Sequence, residues 1–126
     1  MSLTAPIPPR LREELSNDPF MHLCCLTGRN NPQWHHAFEI QGRRVQERWA
    51  ILPVIDERHS AQSNCASTHN NHTLKEYVQF IGLCRATPEE WITMEKKYPR
   101  ANLKVLFEKY KKKFVSFDID KFLEKC

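Results

Sequence analysis

Two adjacent histidines, His35 and His36, have the residue type and spacing best suited to chemistry, and His59 follows them after a short arginine-rich stretch. Neutral imidazole binds first-row metals and is a good general base near neutral pH. Neighbouring side chains in a β-strand point to opposite faces, so one ring can hold a metal while the other faces a substrate. Hydrolysis of a phosphodiester uses both a base that activates water and a divalent ion that stabilises charge on the phosphate. The pattern therefore predicts His35 and His59 as metal ligands and His36 as the general base.

A third metal ligand is expected, because two histidines alone bind a metal weakly. The candidates lie in the polar segment after His59, and the order of preference is His72, then His69. Ser63 and Asn64 also stay open. The plainer interpretation is that these histidines are ordinary polar residues on a hairpin.

Apolar alternation and turn residues predict the secondary-structure elements that position the histidine pair. Residues 33–40 and 49–55 are predicted as two strands, joined through a turn at residues 41–44. This hairpin carries Arg43, Arg44 and Arg48, whose planar guanidinium groups suit recognition of a phosphate backbone. A solvated hairpin tip is the alternative.

Helices are predicted on both sides of this hairpin. Residues 10–15 form a short helix and residues 20–26 a short strand, whereas capping boxes begin further helices at Thr73 and Thr87. Residues 101–114 form another helix, and Asp118 caps a last one. The prediction is one α+β domain over residues 1–126, made of an N-terminal arm (1–19), a hairpin with its loop (20–72) and a helical extension (73–126).

Composition limits the class of protein without identifying it. The chain has 126 residues and a net charge of +4, which permits an anionic partner such as nucleic acid. Its five cysteines, an odd number, and the lack of an apolar leader after Met1 favour reduced thiols in a cytoplasmic protein. No apolar run approaches a membrane span. A zinc site at Cys24 and Cys25 with His22 and His35 is a weaker alternative, since adjacent cysteines rarely bind one ion.

The stretch around the histidine pair resembles the HNH (ββα-metal) endonucleases, in particular the small versions of phages and prophages. Their pattern is a Cys-x-x-Cys-Gly turn, a strand ending in His-His or Asp-His, a hairpin, and a Cys-x-x-Cys-His turn before a helix. The likeness covers about residues 22–90. It is carried by Cys24 to Gly28, Trp34-His35-His36, Gly42-Arg43, the run from Trp49 to Val54, and Ile55 to His59.

The resemblance implies a ββα-metal core, here with a C-terminal helical extension. In that family the first residue of the pair binds metal and the second is the general base, which maps onto His35 and His36. The histidine after the second cysteine pair maps onto His59. The implied protein is a DNA endonuclease of a phage, prophage or other mobile element, acting in the cytoplasm of a bacterial cell. Its cofactor would be a divalent ion (Mg, Mn, Ni or Zn), and a homodimer is left open.

This chain also departs from the family pattern. Of the four structural zinc cysteines only Cys24 is present, with Thr27, Ile55 and Arg58 at the other positions, and Gln46 stands near the family's middle asparagine. The hairpin must then be held by an apolar core, predicted as Leu23, Leu26, Trp34, Phe38, Trp49, Ile51 and Val54. Two other functions stay open. One is a degenerate relative that binds DNA without cutting it, and the other is a protein-interaction module that uses the helical half.

Overall fold

The chain combines five helices with two small antiparallel sheets in the residues that the computed structural model describes, 6–55 and 72–124. This agrees with the predicted α+β class. The helices are α1 (Pro9–Ser16), α2 (His72–Arg85), α3 (Pro88–Lys97), α4 (Leu103–Lys113) and α5 (Ile119–Glu124). The strands are β1 (Gln33–His36), β2 (Glu39–Ile40), β3 (Arg43–Arg44) and β4 (Ile51–Val54), and 3₁₀ turns lie at Pro19–His22, Arg48–Ala50 and Pro99–Ala101.

The sheet that carries the histidine pair consists of β1 and β4. Across this antiparallel pair His35 lies opposite Leu52, and His36 lies opposite Ile51. The strand predicted over residues 33–40 is interrupted at Ala37 and Phe38. Both of these side chains are buried, and because a regular strand sends successive side chains to opposite faces, the backbone must leave strand geometry to bury both.

The turn predicted after the first strand is confirmed as a tight hairpin between β2 and β3. Gln41 and Gly42 both have positive φ, at 55° and 75°, as a two-residue type I′ turn requires. Glycine reaches this conformation without steric cost. Arg43 follows the turn directly and is exposed, so an arginine does lie at the hairpin tip.

The strand predicted over residues 20–26 is wrong. Pro19–His22 is a 3₁₀ turn, and Asp18 Oδ1 accepts a hydrogen bond from the Phe20 backbone N–H at 3.0 Å. An aspartate before a proline favours such a capped turn over an extended strand. Within residues 20–26, the described strand-like pairing is a single antiparallel β-bridge between Leu23 and Asn30.

Of the two predicted capping boxes, the second is confirmed. Thr87 accepts from the Glu90 backbone N–H, and Glu90 accepts in return from the Thr87 backbone N–H. The box at Thr73 is wrong, because α2 already includes His72 and Thr73 therefore lies within the helix. The predicted stop of α3 before Pro99 is confirmed.

The helix predicted over residues 101–114 begins later, at Leu103, because Asn102 takes a left-handed conformation and breaks it from the preceding 3₁₀ turn. The predicted Asp118 cap is confirmed: its Oδ1 accepts from the Lys121 backbone N–H at 3.2 Å.

Most of the predicted hairpin core is buried, within two clusters of side chains. The main cluster joins the hairpin to the helices, and a smaller one lies beside α1 and contains Ile7, Leu15, Met21 and Ile51. Trp34 is half-buried against the smaller cluster. The prediction for Leu23 is wrong, since this side chain is 45% exposed after the 3₁₀ turn.

The helix α2 packs against the segment that leads into β4. At Gly82 an added Cβ would lie 2.4 Å from the Trp49 carbonyl oxygen, so this glycine permits a close approach of helix and backbone. Among the described residues no helix combines the length and the apolar character needed to cross a bilayer.

Candidate functional site

The side chains of His35 and His36 lie on opposite faces of the β1–β4 sheet. Strand alternation puts His36 on the same face as Trp34 and Ile51, beside the smaller core cluster. His35 shares its face with Leu52, which belongs to the main core and contacts Gly82 of α2. The hairpin therefore separates the two rings, as the alternation of the strand predicts.

His36 is held by one glutamine. Its Nε2 lies 2.9 Å from Gln46 Oε1, and Gln46 Nε2 donates to the Pro6 carbonyl oxygen at 3.3 Å. With the amide in this orientation, His36 must donate from Nε2. The lone pair of the neutral ring then lies on Nδ1, which is the atom that can accept a proton.

The surroundings of His36 favour its neutral form. Burial lowers the pKa of His36 below its ordinary value of 6.5, and the nearby Arg44 guanidinium lowers it further. The hydrogen bond to Gln46 and the charge of Glu39 act in the opposite direction without reversing the shift. His36 is therefore an unprotonated base at neutral pH.

The short hairpin of β2 and β3 brings one cationic group, Arg44, near this base. Glu39 lies opposite Arg44, and Ile40 lies opposite Arg43. Arg44 is half-buried and acts on the pKa of His36. A neutral imidazole beside an arginine can take a proton from water while the guanidinium binds an anionic oxygen.

Arg48 lies elsewhere. It begins the 3₁₀ turn before β4, and its guanidinium contacts both carboxylate oxygens of Glu90, at 3.0 and 2.6 Å. It also donates to the Arg85 carbonyl oxygen at 2.8 Å. These bonds engage Nε and Nη2 of Arg48 and join the segment before β4 to α3. The predicted contact of Arg48 with DNA stays a prediction.

Of the four predicted metal ligands, His35 and His72 lie among the described residues, so the predicted metal site stays a prediction. His72 is 81% exposed at the start of α2, where its Nε2 lies 3.5 Å from Glu76 Oε2. Within residues 6–55 and 72–124, no three side chains of histidine, cysteine, aspartate or glutamate are close enough to hold a metal ion. His59, His69, Ser63 and Asn64 lie outside the described residues.

The alternative zinc site at the adjacent cysteines is not supported by its chemistry. Cys24 and Cys25 are free thiols, and burial raises the pKa of Cys25 to about 12. Zinc binds the thiolate, which this environment disfavours. The Nε2 atom of His22 is hydrogen-bonded to the Ser16 carbonyl oxygen, at 2.8 Å.

Gln46 is a residue of the candidate site that the sequence patterns do not predict. The one available signal is a carboxamide near the family's middle asparagine, because asparagine and glutamine offer the same acceptor and donor. Its contact with His36 depends on how the chain returns from the β2–β3 hairpin, which no local pattern predicts.

In comparisons with protein-family models, with curated proteins and with solved structures, nothing matched this chain.

Proposed function

We propose that this protein is a DNA endonuclease that hydrolyses phosphodiester bonds with His36 as the general base. The observation that carries the proposal is the neutral imidazole of His36, held through Nε2 by Gln46 and lying within electrostatic range of Arg44. Base and cation together match what attack on a phosphodiester requires.

The proposed step uses the atoms in their present arrangement. His36 Nδ1 accepts a proton from a water molecule, whose oxygen forms a bond to phosphorus while the bond to the leaving oxygen breaks. The leaving oxygen takes a proton from solvent. Arg44 and the exposed Arg43 bind the phosphate oxygens, which orients the strand and offsets its charge.

The order of elements supports a ββα-metal core. A hairpin made of β1 and β4 is followed in the chain by helix α2, which packs on the β4 side of the hairpin. We propose His35 and His59 as the ligands of a divalent ion, with His72 or His69 as the third. Such an ion, when bound, stabilises charge on the phosphate and on the leaving oxygen. An origin in a phage or another mobile element is part of the same proposal.

The test is nicking of a supercoiled plasmid in magnesium, manganese, nickel or zinc. We expect His36→Ala to lose about 10²- to 10⁴-fold in rate, which is the usual contribution of a general base. His22→Ala is the matched control, because His22 is an exposed histidine whose ring is bonded to the Ser16 carbonyl oxygen. If neither the single variant His36→Ala nor the single variant His35→Ala reduced the rate of cleavage, the mechanism would be refuted.

Binding of DNA without cleavage is the second candidate function. It is favoured by the departures from the family pattern, with Thr27, Ile55 and Arg58 at three of the four structural zinc cysteines. In this case no divalent ion would support nicking, and a chelator would leave DNA affinity unchanged. Arg43→Gln and Arg44→Gln would each reduce the salt dependence of binding by about one counterion. Arg100→Gln, an exposed arginine on the 3₁₀ turn before α4, would be the control.

A further inference from the structure

A groove opens on the His36 face of the β1–β4 sheet, next to the residues of the proposed site. It is lined by Ile7, Arg12, Pro32, Gln33 and Trp34. Trp34 and His36 are two residues apart on one strand, so both side chains stand on this face about 7 Å apart. Through Trp34 the groove therefore shares a sheet face with the proposed base.

The indole of Trp34 is held in a fixed orientation within this groove. Its Nε1–H donates to the Met21 carbonyl oxygen at 3.1 Å, and the side chain is half-buried against the smaller core cluster. A ring that is anchored at its polar edge and only partly covered keeps an apolar surface available for stacking. Pro32 and Ile7 add apolar surface beside it.

The charge of the groove is positive. Arg12 is its ionised lining residue, and this side chain is exposed on α1. An aromatic surface next to a cation suits a nucleotide, whose base stacks on the ring while its phosphate meets the cation. A base inside a duplex keeps its faces stacked on neighbouring bases, so only an unpaired base can use this surface.

We infer that the Trp34 groove is a subsite for one unpaired nucleotide next to the phosphate that His36 attacks. The inference deepens the proposed function and rests on it for the role of His36. It assigns to this protein a preference for DNA with unpaired nucleotides, such as single strands, flaps or branched junctions, over uninterrupted duplex.

The first test measures binding without cleavage. A fluorescein-labelled single-stranded oligonucleotide is titrated in EDTA and followed by anisotropy, next to the same sequence as a duplex. We expect tighter binding of the single strand, weakened about tenfold by Trp34→Leu, in the range that loss of one stacked base produces. Trp34→Phe keeps a stacking ring and should recover most of that affinity.

Arg12→Gln is a second variant, and because Arg12 is exposed it does not threaten folding. It should lower single-strand affinity and reduce the salt slope by about one. Arg10→Gln removes the same charge from the same helix, outside the groove, and should leave single-strand affinity closer to that of the wild type.

Tryptophan emission gives an independent readout. Unlabelled oligonucleotide should quench emission of the wild type and of Trp91→Phe, but not of Trp34→Phe. Trp49 is only 2% exposed, so its emission should respond little to the oligonucleotide.

The outcomes separate this inference from the proposed function. Quenching with single-strand preference but no nicking in any metal supports the subsite and overturns the nuclease. Nicking that is equal for duplex and single strand, and unchanged by Trp34→Leu, overturns the subsite and leaves the nuclease intact. Self-association that Arg12→Gln abolishes, without quenching by oligonucleotide, would assign the groove to a second copy of the chain and overturn the inference.

Discussion

His36 takes its chemical character from its own position in β1 and from two side chains further along the chain, Arg44 and Gln46. Its strand position buries the ring, Gln46 holds Nε2, and Arg44 adds positive charge; burial and Arg44 lower the pKa of His36. Since the folded state disfavours the imidazolium, protonation of this residue is coupled to the stability of the protein.

The first prediction concerns pH and the free energy of unfolding. Because the pKa of folded His36 lies below the unfolded value of 6.5, its contribution is fully present above pH 6.5. That contribution is lost as the pH falls below 6.5 towards the folded pKa. Urea unfolding between pH 5 and 7.5 should therefore show a pH dependence that His36→Asn reduces and His22→Asn does not.

The same shift predicts the pH dependence of cleavage. The rate kcat/KM should rise with an apparent pKa below 6.5 and reach its plateau by neutral pH. Gln46→Glu places a carboxylate next to the ring, which raises the pKa of His36, and should move both the rising limb and the NMR titration of His36 to higher pH. A rising limb that Gln46→Glu leaves in place would show that another group is the base.

At the scale of elements, the site depends on two backbone features that position β1, β4 and α2. The tight turn at Gln41 and Gly42 returns the chain so that Arg44 lies opposite Glu39 and Gln46 reaches His36. The close packing of α2 at Gly82 then fixes the helix against the backbone next to β4. Gln79 adds a polar bond across the same contact, from its Nε2 to the Ala37 carbonyl oxygen at 2.8 Å.

The second prediction tests the packing at Gly82. Glycine to alanine in a helix interior ordinarily stabilises by up to about 1 kcal/mol. Here the added Cβ would lie 2.4 Å from the Trp49 carbonyl oxygen and 3.2 Å from Leu52 Cδ2, so the helix must shift. Gly82→Ala should therefore destabilise by about 1–3 kcal/mol, measured by urea unfolding.

A matched control on the same helix is Lys75→Ala, at an exposed position. Its effect should stay within about 0.5 kcal/mol. Equal stability of Gly82→Ala and the wild type would mean that α2 does not approach the hairpin backbone this closely.

At the scale of the whole molecule, an ion-pair network joins α2 and α3 to the segments before the first strand and before β4. Arg48 bonds Glu90 of α3, and Arg85 at the end of α2 bonds Asp18 at 2.6 Å while its guanidinium carbon lies 3.8 Å from the centre of the Phe20 ring. Burial alone would raise the pKa of Glu90, but its bond to Arg48 brings that pKa below 4.5. The network therefore contributes to the packing of α2 and α3 against the rest of the chain.

The third prediction tests this network with a double-mutant cycle. Arg48→Gln and Glu90→Gln should be coupled by about 1–2 kcal/mol, because the two side chains share two charge-assisted bonds and are largely shielded from water. The glutamine at position 90 can still accept from the Thr87 backbone N–H, so helix capping is kept.

Because the folded pKa of Glu90 is lowered, the coupling should be present above pH 4.5 and be lost as the pH falls through the folded pKa. A coupling near zero at pH 7 would leave Arg48 available to bind DNA.

Local patterns determined much of this protein. The α+β class, the Gln41-Gly42 turn, the Thr87 cap, the stop before Pro99 and the Asp118 cap all depend on residues within a few positions of one another, and each was predicted correctly. The histidine pair on a strand belongs to the same group, because strand alternation alone gives the two rings opposite faces.

Only the tertiary structure decided which side chains meet. The pairing of Arg48 with Glu90, the bond between Gln46 and His36, and the groove beside Trp34 all join residues that come from different elements. The break of the first strand at Ala37 and Phe38 likewise follows from burial that overrides strand propensity. Such contacts depend on the packing of whole elements, which spacing along the chain does not encode by itself.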